Sequence, residues 1–131
     1  MDGQDLQDLA NEHAQTLPEV TVEHRDNPPW VTYKVAGKVF MLMTDLPGHP
    51  VVTVKADPGD AVALREQHSE ISAGYHMNKT HWITAKGGPG LNESLVKELV
   101  NDSYQLVVDK LPHSKQPAGT TPPGLVSSSS S

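Results

Sequence analysis

Hydrophobic residues near the start of the chain recur at helical spacing. In DLQDLANEHAQTL, five apolar residues fall on one helical face: Leu6, Leu9, Ala10, Ala14 and Leu17. Pro18 follows and ends the run, because proline cannot continue a helix interior. The pattern predicts a first amphipathic helix and then a short strand through Val20 and Val22.

The next segment, WVTYKVAGKVFMLMT, predicts a hairpin that turns at Ala36 and Gly37. A two-residue turn places Val35 opposite Lys38, and the core face then carries Val31, Tyr33, Val35, Phe40 and Leu42. The opposite face carries Trp30, Thr32, Lys34, Val39, Met41 and Met43. This face is too apolar for open solvent, so we expect another element of the chain, a ligand or a partner to cover it. Its candidate interaction residues are Trp30, Met41 and Met43.

The second half of the chain alternates between strand and helix patterns. VVTVK and HWITAK predict strands, and GGPG predicts a turn after the second of these. Asp57 and Pro58 form a strong helix start, and the helix should run to about Gln67. Asn92 caps a final helical segment, which we expect to bend or break at residues 101–103.

This order of elements predicts one α+β domain over residues 1–112. We expect two layers, with a mainly antiparallel sheet and helices on one face. The 131 residues and 14.2 kDa suit a single core. The segment 113–131, HSKQPAGTTPPGLVSSSSS, has almost nothing to bury, so it predicts a disordered tail.

Composition narrows the cellular setting. The chain has no cysteine, which excludes disulfides and thiol catalysis and is compatible with a reducing cytosol. The acidic opening lacks the basic and apolar regions of a signal peptide, and no apolar run is long enough to span a membrane. We therefore expect a cytoplasmic protein without a membrane partner.

The formal charge of −6 is unevenly distributed. Residues 1–29 hold seven acids and one base, whereas residues 30–91 hold six bases and five acids. The overall acidity argues against a general nucleic-acid binder, whose affinity comes mainly from lysine and arginine. Because the bases are concentrated in residues 30–91, any anion site is expected in this middle block.

Five landmarks occur in an order that resembles the MmcQ/YjbR family: Leu17-Pro18, VAGKVFMLM, VTVKADP, YHMNKTHW and DSYQLVVDKLP. The resemblance covers residues 6–115. It implies a small α+β domain with a CyaY-like or secretion-chaperone-like two-layer arrangement, often described as a double-wing DNA-binding fold. It also implies DNA as a ligand, although a fold alone does not establish a function.

Six side chains in the middle block are candidate contacts for nucleic acid or another anion: Lys34, Lys38, Lys55, Lys79, His81 and Lys86. If they meet at one edge of the sheet, the lysines can hold phosphates while Tyr75 or Trp82 offers a stacking surface. The alternative is a set of solvated lysines that protect sheet edges and keep the protein soluble.

Motifs for catalysis or metal binding are weak. His76 and His81 lack a third ligand at diagnostic spacing, and no serine lies in a glycine-flanked elbow. GGPG lacks the Lys-Ser or Lys-Thr of a phosphate loop. We predict a non-enzymatic binding protein without metal or cofactor, with DNA as its ligand. The alternatives are a protein-interaction or dimerisation module and, less favoured, a metal or small-molecule enzyme centred on His76 and His81.

Overall fold

The computed structural model describes residues 1–26, 29–45, 47–74 and 80–117. Within these ranges the helices are α1 Gly3–Ala14, α2 Pro58–Gln67 and α3 Glu93–Asp109. The strands are β1 Val20–Asp26, β2 Pro29–Val35, β3 Lys38–Thr44, β4 Val51–Lys55, β5 Ile71–Ala73 and β6 Trp82–Lys86. They form one antiparallel sheet in the order β1-β2-β3-β4-β6-β5.

The helices α1 and α3 pack against each other and against the central strands β3 and β4, on one face of the sheet. The helix α2 lies beside the edge strand β5. This arrangement confirms the predicted two-layer α+β class. The core between sheet and helices is built mainly from Leu6, Ala10, Tyr33, Phe40, Met41, Val54, Ile83, Val100 and Val108.

Side-chain caps fix the start of each helix. Asp57 accepts a hydrogen bond from the Gly59 N–H, and Asn92 accepts one from the Leu95 N–H, as their positions predicted. The expected break at residues 101–103 does not occur, because α3 is continuous from Glu93 to Asp109. At the end of the chain, residues 113–115 form a 3-10 turn, and residues 118–131 of the predicted tail lie outside the described residues.

The hairpin between β2 and β3 contains a bulge. Val35 pairs with Lys38 and Lys34 pairs with Val39, but Tyr33 pairs with Met41, so Phe40 is the extra residue. Because side chains alternate across a strand, one extra residue moves all later side chains to the opposite face. Beyond the bulge, the predicted faces of β3 are therefore exchanged.

The exchange corrects the predicted interaction face. Met41 is fully buried and Met43 is 6% exposed, so both belong to the core and cannot form an open surface. Leu42, predicted for the core, is half-buried on the opposite face. The bulge allows both Phe40 and Met41 to point inward, and the Phe40 ring makes edge contacts with the rings of Tyr33 and Tyr104 at 6.5 and 5.4 Å.

Ser103 of α3 compensates for the interrupted ladder beside the bulge. Its buried hydroxyl donates to the Phe40 carbonyl at 2.5 Å and accepts from the Lys55 N–H at 2.8 Å. One side chain therefore satisfies backbone groups of two strands. It also joins α3 to the end of the sheet where β3 begins and β4 ends.

The turn Gly87 to Gly90 is packed rather than open. The Gly88 N–H donates to the Met1 carbonyl at 2.7 Å, and the Gly90 N–H donates to the buried Glu70 carboxylate at 2.8 Å. A side chain at Gly88 would collide with Glu70. Because of these contacts, the turn fixes the start of α1 at this end of the sheet.

Replacing Ser103 by alanine should destabilise the protein by about 1–3 kcal/mol, because it leaves the Phe40 carbonyl and the Lys55 N–H without this partner. Urea unfolding monitored by circular dichroism measures the effect. Ser94→Ala is the control, since Ser94 lies on the exposed part of the same helix and should change stability by less than about 0.5 kcal/mol. Equal stabilities for the two variants would contradict the role of Ser103.

Glu70 should give the fold a specific dependence on acid. The hydrogen bond from Gly90, above all, and the charge of Lys86 hold the pKa of Glu70 below its usual value. Ionised Glu70 therefore stabilises the fold above its unfolded pKa of about 4.3, and this stabilisation is lost as the pH falls through the lower folded pKa. Urea unfolding at several pH values measures this effect. Glu70→Gln should lose less stability in acid than the parent does. Glu66→Gln, on the exposed surface of α2, should lose as much as the parent.

Candidate anion-binding groove

Three lysines converge at the end of the sheet next to the β2–β3 turn. Lys38 begins β3, Lys55 ends β4 and Lys110 follows α3, and all three line one groove of ≈ 360 Å³. The antiparallel pairing of Met41 with Val54 brings the start of β3 beside the end of β4. Since Ser103 ties α3 to the same two strands, the end of that helix completes the groove.

The groove is cationic at its rim and apolar between the lysines. Val39, Val107 and Leu111 form the apolar part. Among the described residues that line it there is no aspartate or glutamate. Within the described part of the chain, no acidic side chain forms an ion pair with Lys38, Lys55 or Lys110. The groove thus concentrates positive charge in a protein of net charge −6.

Lys55 and Lys110 repel each other. Burial, followed by the charge of the neighbouring Lys110 ammonium, holds the pKa of Lys55 below its usual value. Two like charges that lie close together cost free energy when no anion lies between them. The arrangement therefore suits a negatively charged ligand.

An aromatic ring lies beside this pair. Lys55 is opposite Trp82 in the β4–β6 register, and its Nζ is 6.0 Å from the centre of the indole ring. Trp82 is half-buried, so part of its surface is open for contact. The preceding residue, His81, lies at the same end of the sheet. Its carbonyl accepts a hydrogen bond from the Ala56 N–H at 2.9 Å, just beyond the end of β4.

The other predicted contacts are not gathered in the groove. Lys34 lies on β2 and pairs with Glu23 at 3.1 Å. Lys86 ends β6 at the opposite end of the sheet, four residues from Trp82, or about 13 Å at the rise of a strand. Lys79 lies outside the described residues. The structure thus brings together Lys38 and Lys55 from the predicted set and adds Lys110, which sequence reasoning missed.

An acidic groove of ≈ 240 Å³ borders Lys55 on its other side and contains Asp57, Asp60, Asp102 and Asp109. Burial, together with the charges of Glu98 and Asp60, raises the pKa of Asp102. The two grooves have opposite charge and meet at Lys55. An anion is therefore directed toward the side that holds Lys38 and Lys110.

The face of the sheet opposite the helices, here called the outer face, carries a further groove of ≈ 320 Å³. Its lining includes Trp30, Val39 and Leu42, with Glu23, Arg25, Thr32 and Lys34 as polar members. Trp30 keeps its predicted position, whereas Leu42 replaces Met41 and Met43 as the apolar contribution of β3. Val39 lines both this groove and the groove of the three lysines, so the two surfaces adjoin.

The described residues contain no group of three or more histidine, aspartate and glutamate side chains placed to hold a metal ion. His76, one of the two histidines considered for such a site, lies outside the described residues. In the described ranges, every helix is too short or too polar to cross a membrane.

Comparison with known proteins identifies the family. The YjbR family model matches residues 15–106. The chain belongs to the YjbR family. A YjbR relative, the uncharacterized protein YbdF of Escherichia coli O157:H7, is 40% identical over 111 residues, covering 85% of this chain and 91% of YbdF. The uncharacterized protein YjbR of Escherichia coli K12 is 36% identical over 83 residues, which cover 63% of this chain and 70% of that protein.

Solved structures share the fold. A crystal structure of Deinococcus radiodurans protein DR2400 is similar with a TM-score of 0.72 and 26% identity, covering 87% of this chain and 84% of that one. A crystal structure of a Pseudomonas syringae protein gives a TM-score of 0.65 and 27% identity, covering 81% and 98% of the two chains. These similarities confirm the YjbR-like α+β architecture.

Removing one lysine of the repelling pair should stabilise the free protein. Lys55→Met and Lys110→Met each keep an apolar stem and remove one charge, with an expected gain of about 0.5 kcal/mol in low salt. The double variant should gain little more than either single one, because the repulsion disappears with the first substitution. Urea unfolding in phosphate-free buffer measures these values, and a loss of stability in both single variants would contradict the repulsion.

Proposed function

We propose that this YjbR-family protein acts by binding rather than by catalysis, and that its ligand is single-stranded DNA held through backbone phosphates by Lys38, Lys55 and Lys110. The observation that carries the proposal is the convergence of three lysines without an acidic partner among the described residues. The absence of cysteine fits a reducing compartment, and the cytoplasm is the location we propose.

Phosphate is the ligand group that best fits the three lysines. Each lysine ammonium acts as a compact point charge, and the three come from β3, β4 and the end of α3. A phosphate between Lys55 and Lys110 would replace their repulsion by attraction. The strand would also release condensed counterions, which is the main source of affinity in such contacts.

Two aromatic side chains favour a single strand over an isolated phosphate or a duplex. Trp82 lies beside Lys55, and Trp30 lines the outer-face groove that adjoins the lysines at Val39. Bases of a single strand can stack on such rings, whereas the base faces of a duplex are already stacked. A strand that follows this track would place phosphates near the lysines and bases near the indole rings.

The acidic part of the protein limits the contact to this track. The start of α1 is held at the opposite end of the sheet by the Met1–Gly88 hydrogen bond. Charges more than about 10 Å away are largely screened at moderate salt, so the acids of α1 oppose phosphate binding little, whereas the four aspartates of the neighbouring groove lie beside Lys55 and weaken it. We therefore expect weak, salt-sensitive binding with a small number of phosphate contacts.

Fluorescence anisotropy of a labelled oligothymidine, titrated at several salt concentrations, tests the proposal. The parent should bind in low salt, with a slope of log affinity against log salt of about −2, as expected for three phosphates of a single strand. Lys38→Met, Lys55→Met and Lys110→Met should each weaken binding and reduce the slope by about 0.7. Lys86→Met removes a lysine at the opposite end of the sheet and should leave binding unchanged.

Two results would contradict the proposal. One is the absence of binding above background at low salt. The other is full binding by a variant in which all three groove lysines are replaced. The aromatic part of the proposal has its own test, because Trp82→Leu should weaken oligothymidine binding while leaving the salt slope unchanged. Equal affinity of the parent and Trp82→Leu would show that Trp82 does not stack on bases and that the lysines bind polyanions in general.

A further inference from the structure

The strand β1 forms one edge of the sheet. It pairs with β2 along one side only, from Val20 to Asp26. The other side of an edge strand presents backbone N–H and C=O groups that can pair with another chain. At the opposite edge, β5 has only three residues and packs beside α2. Of the two edges, β1 is therefore the longer and the less covered.

The exposed residues of β1 have a charge order that complements itself. Glu23, His24, Arg25 and Asp26 are all exposed. If two copies pair antiparallel with His24 opposite the partner's His24, Glu23 lies opposite the partner's Arg25, and Arg25 lies opposite the partner's Glu23. Opposite charges in directly facing positions stabilise an antiparallel pair, whereas like charges destabilise it.

This charge order also selects one register. If the pairing is centred one residue earlier, Glu23 faces the partner's Glu23, and if it is centred one residue later, Arg25 faces the partner's Arg25, so like charges oppose each other in both cases. Pairings that would place a residue of one face opposite a residue of the other face conflict with the alternation of side chains, so charge has to decide only among the same-face registers, and it favours the one centred on His24.

Neighbouring residues would add apolar contact to the pairing. In the β1–β2 register, Arg25 is opposite Trp30 and Glu23 is opposite Thr32, and all four line the outer-face groove. A second copy at the β1 edge would extend the sheet and place its own Glu23 beside Arg25 and Trp30. This contact lies at the edge of the outer face and leaves the rest of that face open.

From these observations we propose that β1 is an interface between two copies of this chain, paired antiparallel edge to edge about His24. The interface is isologous, since the same residues contribute from both sides. It is formed by a short run of residues, so it is smaller than a standard stable interface. The dimer should accordingly be weak and depend on concentration.

Sedimentation velocity over a range of protein concentrations tests the interface. The parent should form a dimer with a dissociation constant between about 1 µM and 1 mM. Arg25→Glu places two glutamates opposite two glutamates and should weaken association at least about tenfold. Glu23→Arg places arginines opposite arginines and should have the same effect. Glu66→Arg, a charge reversal on the exposed surface of α2, should leave the dimer unchanged.

Mixing the two charge-reversal variants gives the decisive measurement. An Arg25→Glu copy facing a Glu23→Arg copy again places opposite charges at both facing positions, so the mixture should form a heterodimer with near-parental affinity. Circular dichroism of each variant alone verifies folding, because Glu23→Arg also removes the ion pair with Lys34. A monomeric parent at about 1 mM, a dimer insensitive to either reversal, or a mixture that stays monomeric would each overturn the interface.

Discussion

The bulge at Phe40, closed by the hydroxyl of Ser103, is the feature on which the two faces of the sheet depend. It turns Phe40 and Met41 inward together and sends Leu42 to the outer face. Without the hydroxyl, backbone groups of β3 and β4 would lose a buried partner at the point where the ladder is interrupted. The same contact holds the second half of α3 against the sheet, and Lys110, which follows that helix, lies beside Lys55.

The acidic start of the chain lies at the opposite end of the sheet from the groove lysines, whereas the acidic groove of Asp57, Asp60, Asp102 and Asp109 borders Lys55. At one end, the chain start and Glu70 are locked into the Gly87 to Gly90 turn, so the acidic beginning of α1 stays there. At the other end, the three groove lysines have no acidic partner among the described residues, and the repulsion between Lys55 and Lys110 is a local cost to stability. Such a cost is typical of functional sites, where a ligand supplies the missing charge.

Local sequence patterns were sufficient for α2, the strand Trp82–Lys86, the turn at Ala36-Gly37 and the two-layer class, because caps, alternation and turn chemistry depend on near neighbours. The bulge was not predictable in the same way, since Phe40 packs between rings from β2 and α3 that are distant from each other along the chain. Lys110 was missed for a related reason. Its approach to Lys55 depends on the docking of α3, and no spacing within the sequence encodes that contact.

The two proposed surfaces would reinforce each other. A pairing of two β1 strands has its twofold axis perpendicular to the sheet, so both outer-face grooves would lie on the same side of the extended sheet. The lysine grooves would point to opposite ends, each about three strand spacings, or roughly 14 Å, from the junction. One nucleic-acid strand crossing the outer face could then meet both grooves, and the second contact would form at high effective concentration. A weak groove on an acidic protein would thereby gain affinity through pairing, without additional lysines in either copy.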